Sequence, residues 1–306
     1  MKLQQALRQI ARKENLNFLL TNRIPRIALT RAVGWISKIR QPAIRSVLIG
    51  LWKLFTDLDL SDAARTRFDS LHDCFTRELK PGARTIDRAP DVMVSPCDGI
   101  VGACGEVRQG QLFQAKGFPY PLADLMGSAS QAARFVDGCY VTLRLTSAMY
   151  HRFHALHDML LERVDHISGD TWNVNPIALK RVERLFCKNE RAVLHVRLAV
   201  GGHRVARVPV AAILVASIRL HCVNVLLHLR YRGPNRIDCD ARAVKGQELG
   251  WFEHGSTIIV LAPCGFDLCA GIAPGVRIAM GSALMRVPDG ARAGHELPAV
   301  ISPTPN

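Results

Sequence analysis

Three short segments carry side chains that could do chemistry together: SPCDG at Ser95–Gly99, YHRFH at Tyr150–His154 and HGST at His254–Thr257. A serine that follows glycine can attack the carbonyl of its own peptide bond and turn the amide into an ester, because glycine has no Cβ to shield that carbonyl. The attack needs a base near the hydroxyl and a group that orients the base, the logic of any Ser-His-Asp arrangement. Singly, the segments say less. HGST alone is an ordinary strand start with a turn glycine, and Asp98-Gly99 marks a tight turn that could also present its carboxylate for catalysis. His151, His154 and His157 have the spacing of neighbours on a helix, yet the chain has no H-E-x-x-H pattern and no C-x-x-C pair to complete a site, so no metal is expected.

In this order, with KGQELG (Lys245–Gly250) just ahead of the last, the three segments resemble the phosphatidylserine decarboxylase family. FTRELKPGARTID (Phe75–Asp87), QAKGFPYPLADLMG (Gln114–Gly127) and NVNPIALKRVERLFCKNER (Asn173–Arg191) extend the resemblance over roughly residues 26–286. It implies a precursor that cuts itself between Gly255 and Ser256 into a β chain of residues 1–255 and an α chain of residues 256–306. The α chain would begin with a pyruvoyl cofactor made from Ser256. Carried over residue by residue, the resemblance makes Ser256 the nucleophile and pyruvoyl precursor, His154 the base, Asp98 its orienter, and His151 the acid that protonates the substrate carbon once CO2 has left. The substrate implied is phosphatidylserine and the product phosphatidylethanolamine, the pyruvoyl ketone forming a Schiff base with the amine and serving as electron sink. His254 stands where many relatives have Leu, a departure that leaves the scissile pair intact and bears on local packing and on the pH dependence of cleavage. Two other readings remain open at the level of sequence. One is a related pyruvoyl decarboxylase of another serine-headgroup lipid or an amino acid; the other is a non-catalytic membrane-binding or nucleic-acid-binding protein, supported only by uneven charge.

These side chains need a scaffold to hold them. After Arg88 the apolar pattern is strand-like: residues 138–146, 192–200, 208–220, 221–230 and 256–262 are rich in Val, Ile and Leu. Within 192–200, Leu194, Val196, Leu198 and Val200 should face one side and His195 and Arg197 the other. Gln109-Gly110 and Gly201-Gly202 suit hairpin turns. Regular βαβ alternation and glycine-rich phosphate loops are absent, which excludes the nucleotide-binding α/β folds. The predicted fold is α+β, a mostly β catalytic body at 59–306 preceded by amphipathic N-terminal helices in a membrane-association region at 1–58.

Charge supports that division, because residues 1–53 hold eleven Lys and Arg against Glu14 alone, whereas the remainder of this +14 chain is nearly balanced. Pro25 and Pro42 divide the basic arm into helical pieces. From Ala43 onward Ile44, Val47, Leu48, Leu51, Trp52 and Phe55 recur at helical spacing, as do Leu29, Val33 and Ile36 before them. Such faces could pack on the protein's own core; the charge favours an anionic membrane surface, with Trp35 and Trp52 suited to the headgroup boundary. Aromatic residues, at 6%, are too sparse for a base-stacking platform, so nucleic acid is not an expected partner. The expected location is peripheral, on the cytoplasmic face of a membrane, and a homo-oligomer is left open. Nine cysteines without a C-x-x-C pair read as buried thiols in a reducing compartment. No secretory signal opens the chain, and no run reaches the ~20 apolar residues of a membrane span. Val208–Leu229, broken by Pro209 and Arg219, reads as two adjacent buried strands.

Overall fold

Apolar alternation after Arg88 does produce strands, and among the residues that the computed structural model describes (14–22, 25–114, 118–213, 217–223, 225–228, 231–253 and 256–288) these make four antiparallel sheets. The largest has eight strands in the spatial order β12 (Arg236–Ala243), β7 (Met159–Ile167), β8 (Arg191–Leu198), β9 (Arg204–Ala211), β14 (Ser256–Ala262), β5 (Cys139–Leu145), β2 (Gly99–Glu106) and β16 (Arg277–Ile278). A four-stranded sheet runs β11 (Val225–His228), β10 (Ser217–Leu220), β13 (Glu248–Phe252), β6 (Arg152–His154). Strands β1 (Val92–Val94), β17 (Ala283–Arg286) and β15 (Asp267–Leu268) form a third, and β3 (Gln111–Phe113) with β4 (Pro119–Pro121) a hairpin. The α+β expectation holds.

Successive side chains on a strand point to opposite faces, so a strand that is apolar throughout needs a core on both sides. Such a core exists here. Val141, Leu143, Leu194, Val196, Ile258 and Val260 join one cluster with Phe153, Ile218, Leu249 and Phe252 of the four-stranded sheet. The alternate residues Val193, Val208, Val210, Ile259 and Leu261 join a second with Leu122, Leu125, Leu179 and Phe186 of short helical segments. The clean alternation expected at 192–200 is therefore only partial, since Arg191 to Val196 are buried on both faces. The stretch 208–220 is not one strand: Val208–Ala211 ends β9, whereas Ser217–Leu220 begins the hairpin of the smaller sheet. Pro209, which has no N–H to give, sits where the β8–β9 register passes from Arg191↔Val210 to Leu194↔Arg207.

The arm is helical as its prolines foretell: α1 (Glu14–Asn22), α2 (Arg26–Ile36) and α3 (Pro42–Phe55), followed by the short α4 (Leu71–Phe75). Pro42 opens α3 at its first position and the Gln41 side chain accepts the Ile44 N–H at 2.7 Å, capping a free donor. The face expected on α3 divides in two. Ile44, Val47, Leu51 and Phe55 form an outward stripe, 42–61% exposed, while Trp52 and Ile49 turn inward onto Ala63, Phe68 and Cys74. All nine cysteines are free thiols, but Cys222 and Cys264 are exposed, against the expectation of uniform burial.

Candidate active site

Ser256 is the first residue of β14, paired across the ladder with Leu145 on one side and Ala211 on the other. It is completely buried, and its hydroxyl makes no hydrogen bond. Thr257 beside it is in the same state. Leaving a buried hydroxyl unpaired costs about 1–3 kcal/mol, a cost rarely kept unless the group has another use. His254 and Gly255, the other half of the predicted cleavage motif, lie outside the described residues.

The two histidines of YHRFH flank Phe153 at the edge of the smaller sheet. His151 Nδ1 donates to the Met149 carbonyl at 2.8 Å, which leaves Nε2 as the lone-pair nitrogen, buried and without a partner. Burial drives the His151 pKa down to about 3, against the pull of the Met149 hydrogen bond, so the imidazole is neutral near pH 7. Phe75 lies against it, ring centroids 4.0 Å apart, and Trp52 of the arm lies against Phe75 at 5.6 Å. An apolar stack thus leads from α3 to the histidine.

His154 is held at both nitrogens: Nδ1 donates to the Gly246 carbonyl at 2.9 Å, and Nε2 accepts from the Tyr150 hydroxyl at 3.0 Å. Gly246 has φ +81°, a conformation that aims this carbonyl inward, and a Cβ there would fall 2.2 Å from the Ile86 side chain. Burial lowers the His154 pKa, opposed by the Gly246 hydrogen bond and by the charges of Glu248 and Asp98. Tyr150, whose pKa burial raises, keeps its proton and so remains a donor. The buried guanidinium of Arg207 donates to the backbone carbonyl of His154 at 2.7 Å. Tyr150, Gly246 and Arg207 were not singled out from sequence; Tyr150 and Gly246 carried a signal, as members of the YHRFH and KGQELG segments, and Arg207 carried none.

Asp98 is not the group that touches His154. Its carboxylate is gripped by Arg84, with Nε–Oδ1 at 2.9 Å and Nη2–Oδ2 at 2.7 Å, and Oδ1 accepts the Met280 N–H at 2.9 Å. The two motifs meet through backbone instead, the His154 N–H donating to the Pro96 carbonyl at 2.8 Å. Asp98 and Tyr150 line one polar cavity of about 420 Å3, which Arg77, Arg84 and Arg277 also border. A second, apolar cavity of about 460 Å3 opens beside the start of β14 between Phe75, Leu145 and Ile213, roofed by Val33 and Trp52 of the arm. Thr146 and Ser147 border both cavities. Ser256 Oγ is hydrogen-bonded to neither histidine. His157, the third histidine, is tied by Nε2 to the Pro90 carbonyl at 2.9 Å.

Comparison with known proteins bears on the same segments. The family model described as phosphatidylserine decarboxylase matches residues 71–286. Among curated relatives, the phosphatidylserine decarboxylase proenzyme of Brevibacillus brevis is 34% identical over 272 residues, covering 87% of this chain and 95% of its own. That of Methylibium petroleiphilum is 33% identical over 290 residues, 90% of this chain and 99% of its own. The proenzyme of an Anaeromyxobacter species is 36% identical over 268 residues, 85% and 94% of the two chains. Because these matches run through the buried serine, both histidines and the strands that hold them, the chain belongs to the phosphatidylserine decarboxylase family.

Proposed function

We propose that this chain is a phosphatidylserine decarboxylase proenzyme that cuts itself between Gly255 and Ser256 and then converts phosphatidylserine to phosphatidylethanolamine and CO2. The observation that carries the reading is the buried, unpaired hydroxyl of Ser256 at the head of a central strand. In the first reaction Ser256 Oγ attacks the Gly255 carbonyl carbon; its proton passes to His154, and the amide nitrogen leaves as an amine and takes up a proton. Removal of the Cα proton of residue 256 then expels the Gly255 carboxylate, and the resulting enamine hydrolyses to a pyruvoyl group with release of ammonia. Tyr150 occupies His154 Nε2, so the serine proton reaches that nitrogen through the Tyr150 hydroxyl or after Tyr150 swings aside. Asp98 acts on the pair through its field, favouring the protonated form of His154 without contact.

The residues present fit a pyruvoyl group, since Thr257 Oγ1 and His151 Nε2 are buried polar atoms still free to hydrogen-bond. When formed, that ketone supplies the electron sink for the pair released as CO2 departs. His151 serves the second reaction by carrying a proton on Nε2 to the substrate carbon. It is neutral in the resting protein and must first collect that proton, an uptake that the negative charge of an arriving lipid favours.

The membrane is the source of substrate. Supporting this, the outward stripe of α3 and Trp35 of α2, 72% exposed, present apolar side chains with no covering element among the described residues, and the arm roofs the apolar cavity from behind. No described helix is long and apolar enough to cross a membrane, so the arm would lie on an anionic surface, the cytoplasmic face in our reading. Intact-mass spectrometry tests the core of the proposal. Wild-type protein should give a β chain ending at Gly255 and an α chain of residues 256–306 with a pyruvoyl N-terminus; Ser256→Ala should remain one inactive chain. A fully active, uncut wild-type protein would overturn it.

A further inference from the structure

Arg144 lines the apolar cavity beside the start of β14, and it has no hydrogen bond or ion pair to any described residue. That sets it apart from the arginines of the sheet body near the site: Arg84 grips Asp98, Arg152 grips Glu248, Arg77 and Arg207 bond to carbonyls, and Arg191 donates to four of them. Burial, with no carboxylate to oppose it, lowers the Arg144 pKa. A guanidinium that borders an apolar cavity, partly shielded from water and without a partner among the described residues, is available to an anion that arrives from outside.

Its position says which anion. Arg144 pairs across the ladder with Thr257, and the next residue, Leu145, pairs with Ser256. On the far side of β14 the cavity is bordered by Ala212 and Ile213, which follow Ser256's other partner Ala211. The cavity therefore lies off the end of β14 at which the reacting residue stands, on the face that Arg144 shares with Thr257. We propose that Arg144 anchors the phosphodiester of the substrate lipid, with the glycerol and acyl carbons against Phe75, Leu145, Ile213 and Trp52. The proposal rests on the reading of Ser256 as the reacting residue. Pairing with the serine carboxylate is disfavoured on chemical grounds, because stabilising a charge that the reaction must lose raises the barrier. The phosphodiester lies a few bonds from the reacting carbon and keeps its charge throughout, so a guanidinium bound to it contributes equally to ground and transition states.

That distinction sets the test. Arg144→Gln should be cleaved at Ser256 normally, with KM for phosphatidylserine in mixed micelles raised about 10- to 100-fold and kcat held within about threefold. Phosphatidylmethanol, which has the phosphodiester but no serine, should inhibit the wild type and lose about tenfold or more in potency on Arg144→Gln. Arg144→Lys keeps the charge and should bring KM back to within about threefold of wild type. Unchanged phosphatidylmethanol inhibition with a raised KM would assign Arg144 to the carboxylate, and an unchanged KM would remove it from the site; either overturns the proposal. Loss of cleavage in both variants would make Arg144 a folding residue and overturn it as well. Failure of the Ser256 reading shows separately, as cleavage persisting in Ser256→Ala.

Discussion

His151 and His154 sit three positions apart in one motif, yet their surroundings suit them to different work. His154 is fixed at both nitrogens by Gly246 and Tyr150, whereas His151 leaves a lone pair open in a dry site. His154→Ala should therefore reduce self-cleavage by about 100-fold or more, the usual scale of a lost general base, as followed by electrophoresis over time. Asp98→Asn should slow it too, although Asp98 works at a distance and leaves Arg84 without its main partner. His151→Ala should be cut to a substantial extent and yet release little CO2; normal turnover in that variant would refute its role. Burial also makes a prediction about pH. The folded His151 pKa of about 3 lies below its ordinary 6.5, so between those values the unfolded chain binds more protons and stability falls as pH falls. In the uncut Ser256→Ala protein this should remove about 2 kcal/mol between pH 6.5 and pH 5, read from urea midpoints, and adding His151→Asn should flatten the slope. Some slope will remain, because burial shifts His72, His154 and His157 in the same direction.

At the level of elements, α3 has two apolar faces with separate duties. Leu51→Glu and Val47→Glu should weaken pelleting with anionic liposomes while leaving the melting temperature nearly unchanged, since both side chains are already in solvent. Trp52→Ser should do the reverse and lower stability by about 3 kcal/mol, because Trp52 packs on Phe75 and closes the apolar cavity. Equal effects of the two kinds of substitution would mean that the helix has only one working face. The smaller sheet depends on a close approach at Gly250, where a Cβ would lie 1.9 Å from the Arg219 carbonyl of the neighbouring strand. Gly250→Ala should cost more than about 3 kcal/mol and leave the protein insoluble or uncut, since β13 leads directly into the cleavage segment.

Across the whole molecule, the basic arm is less free than its composition implies. Arg26 is engaged by Asp170 beneath the Trp172 ring, and Lys38 reaches Glu253 at 3.2 Å, just ahead of the cleavage motif. Arg31, Arg45 and Lys53 carry no such tie among the described residues, so charge reversal of Arg31 and Arg45 should shift protein from liposomes to the supernatant at low salt, about 1 kcal/mol for each charge removed. Reversal of Lys38 should also slow self-cleavage, and a Lys38→Glu/Glu253→Lys exchange should restore it; no slowing in the single variant would separate the arm from the cleavage segment. By itself the sequence determined the kind of scaffold: the helical arm broken at Pro25 and Pro42 and the strands at 138–146 and 256–262 follow from local residue types and periodicity, whereas the Gly-Ser pair and the histidine motif take their expected roles from the resemblance to a family. Only the tertiary structure decided what each of those groups touches. Asp98 finds Arg84 instead of His154, Trp52 turns inward while its helical neighbours face out, and Arg144 has no counter-ion among the described residues, all through the packing of residues far apart in the chain. Local pattern tells which faces are apolar and which side chains can react, but the partner of a buried charge or ring is set by how distant strands register and pack, and that is fixed when the whole chain closes on its core.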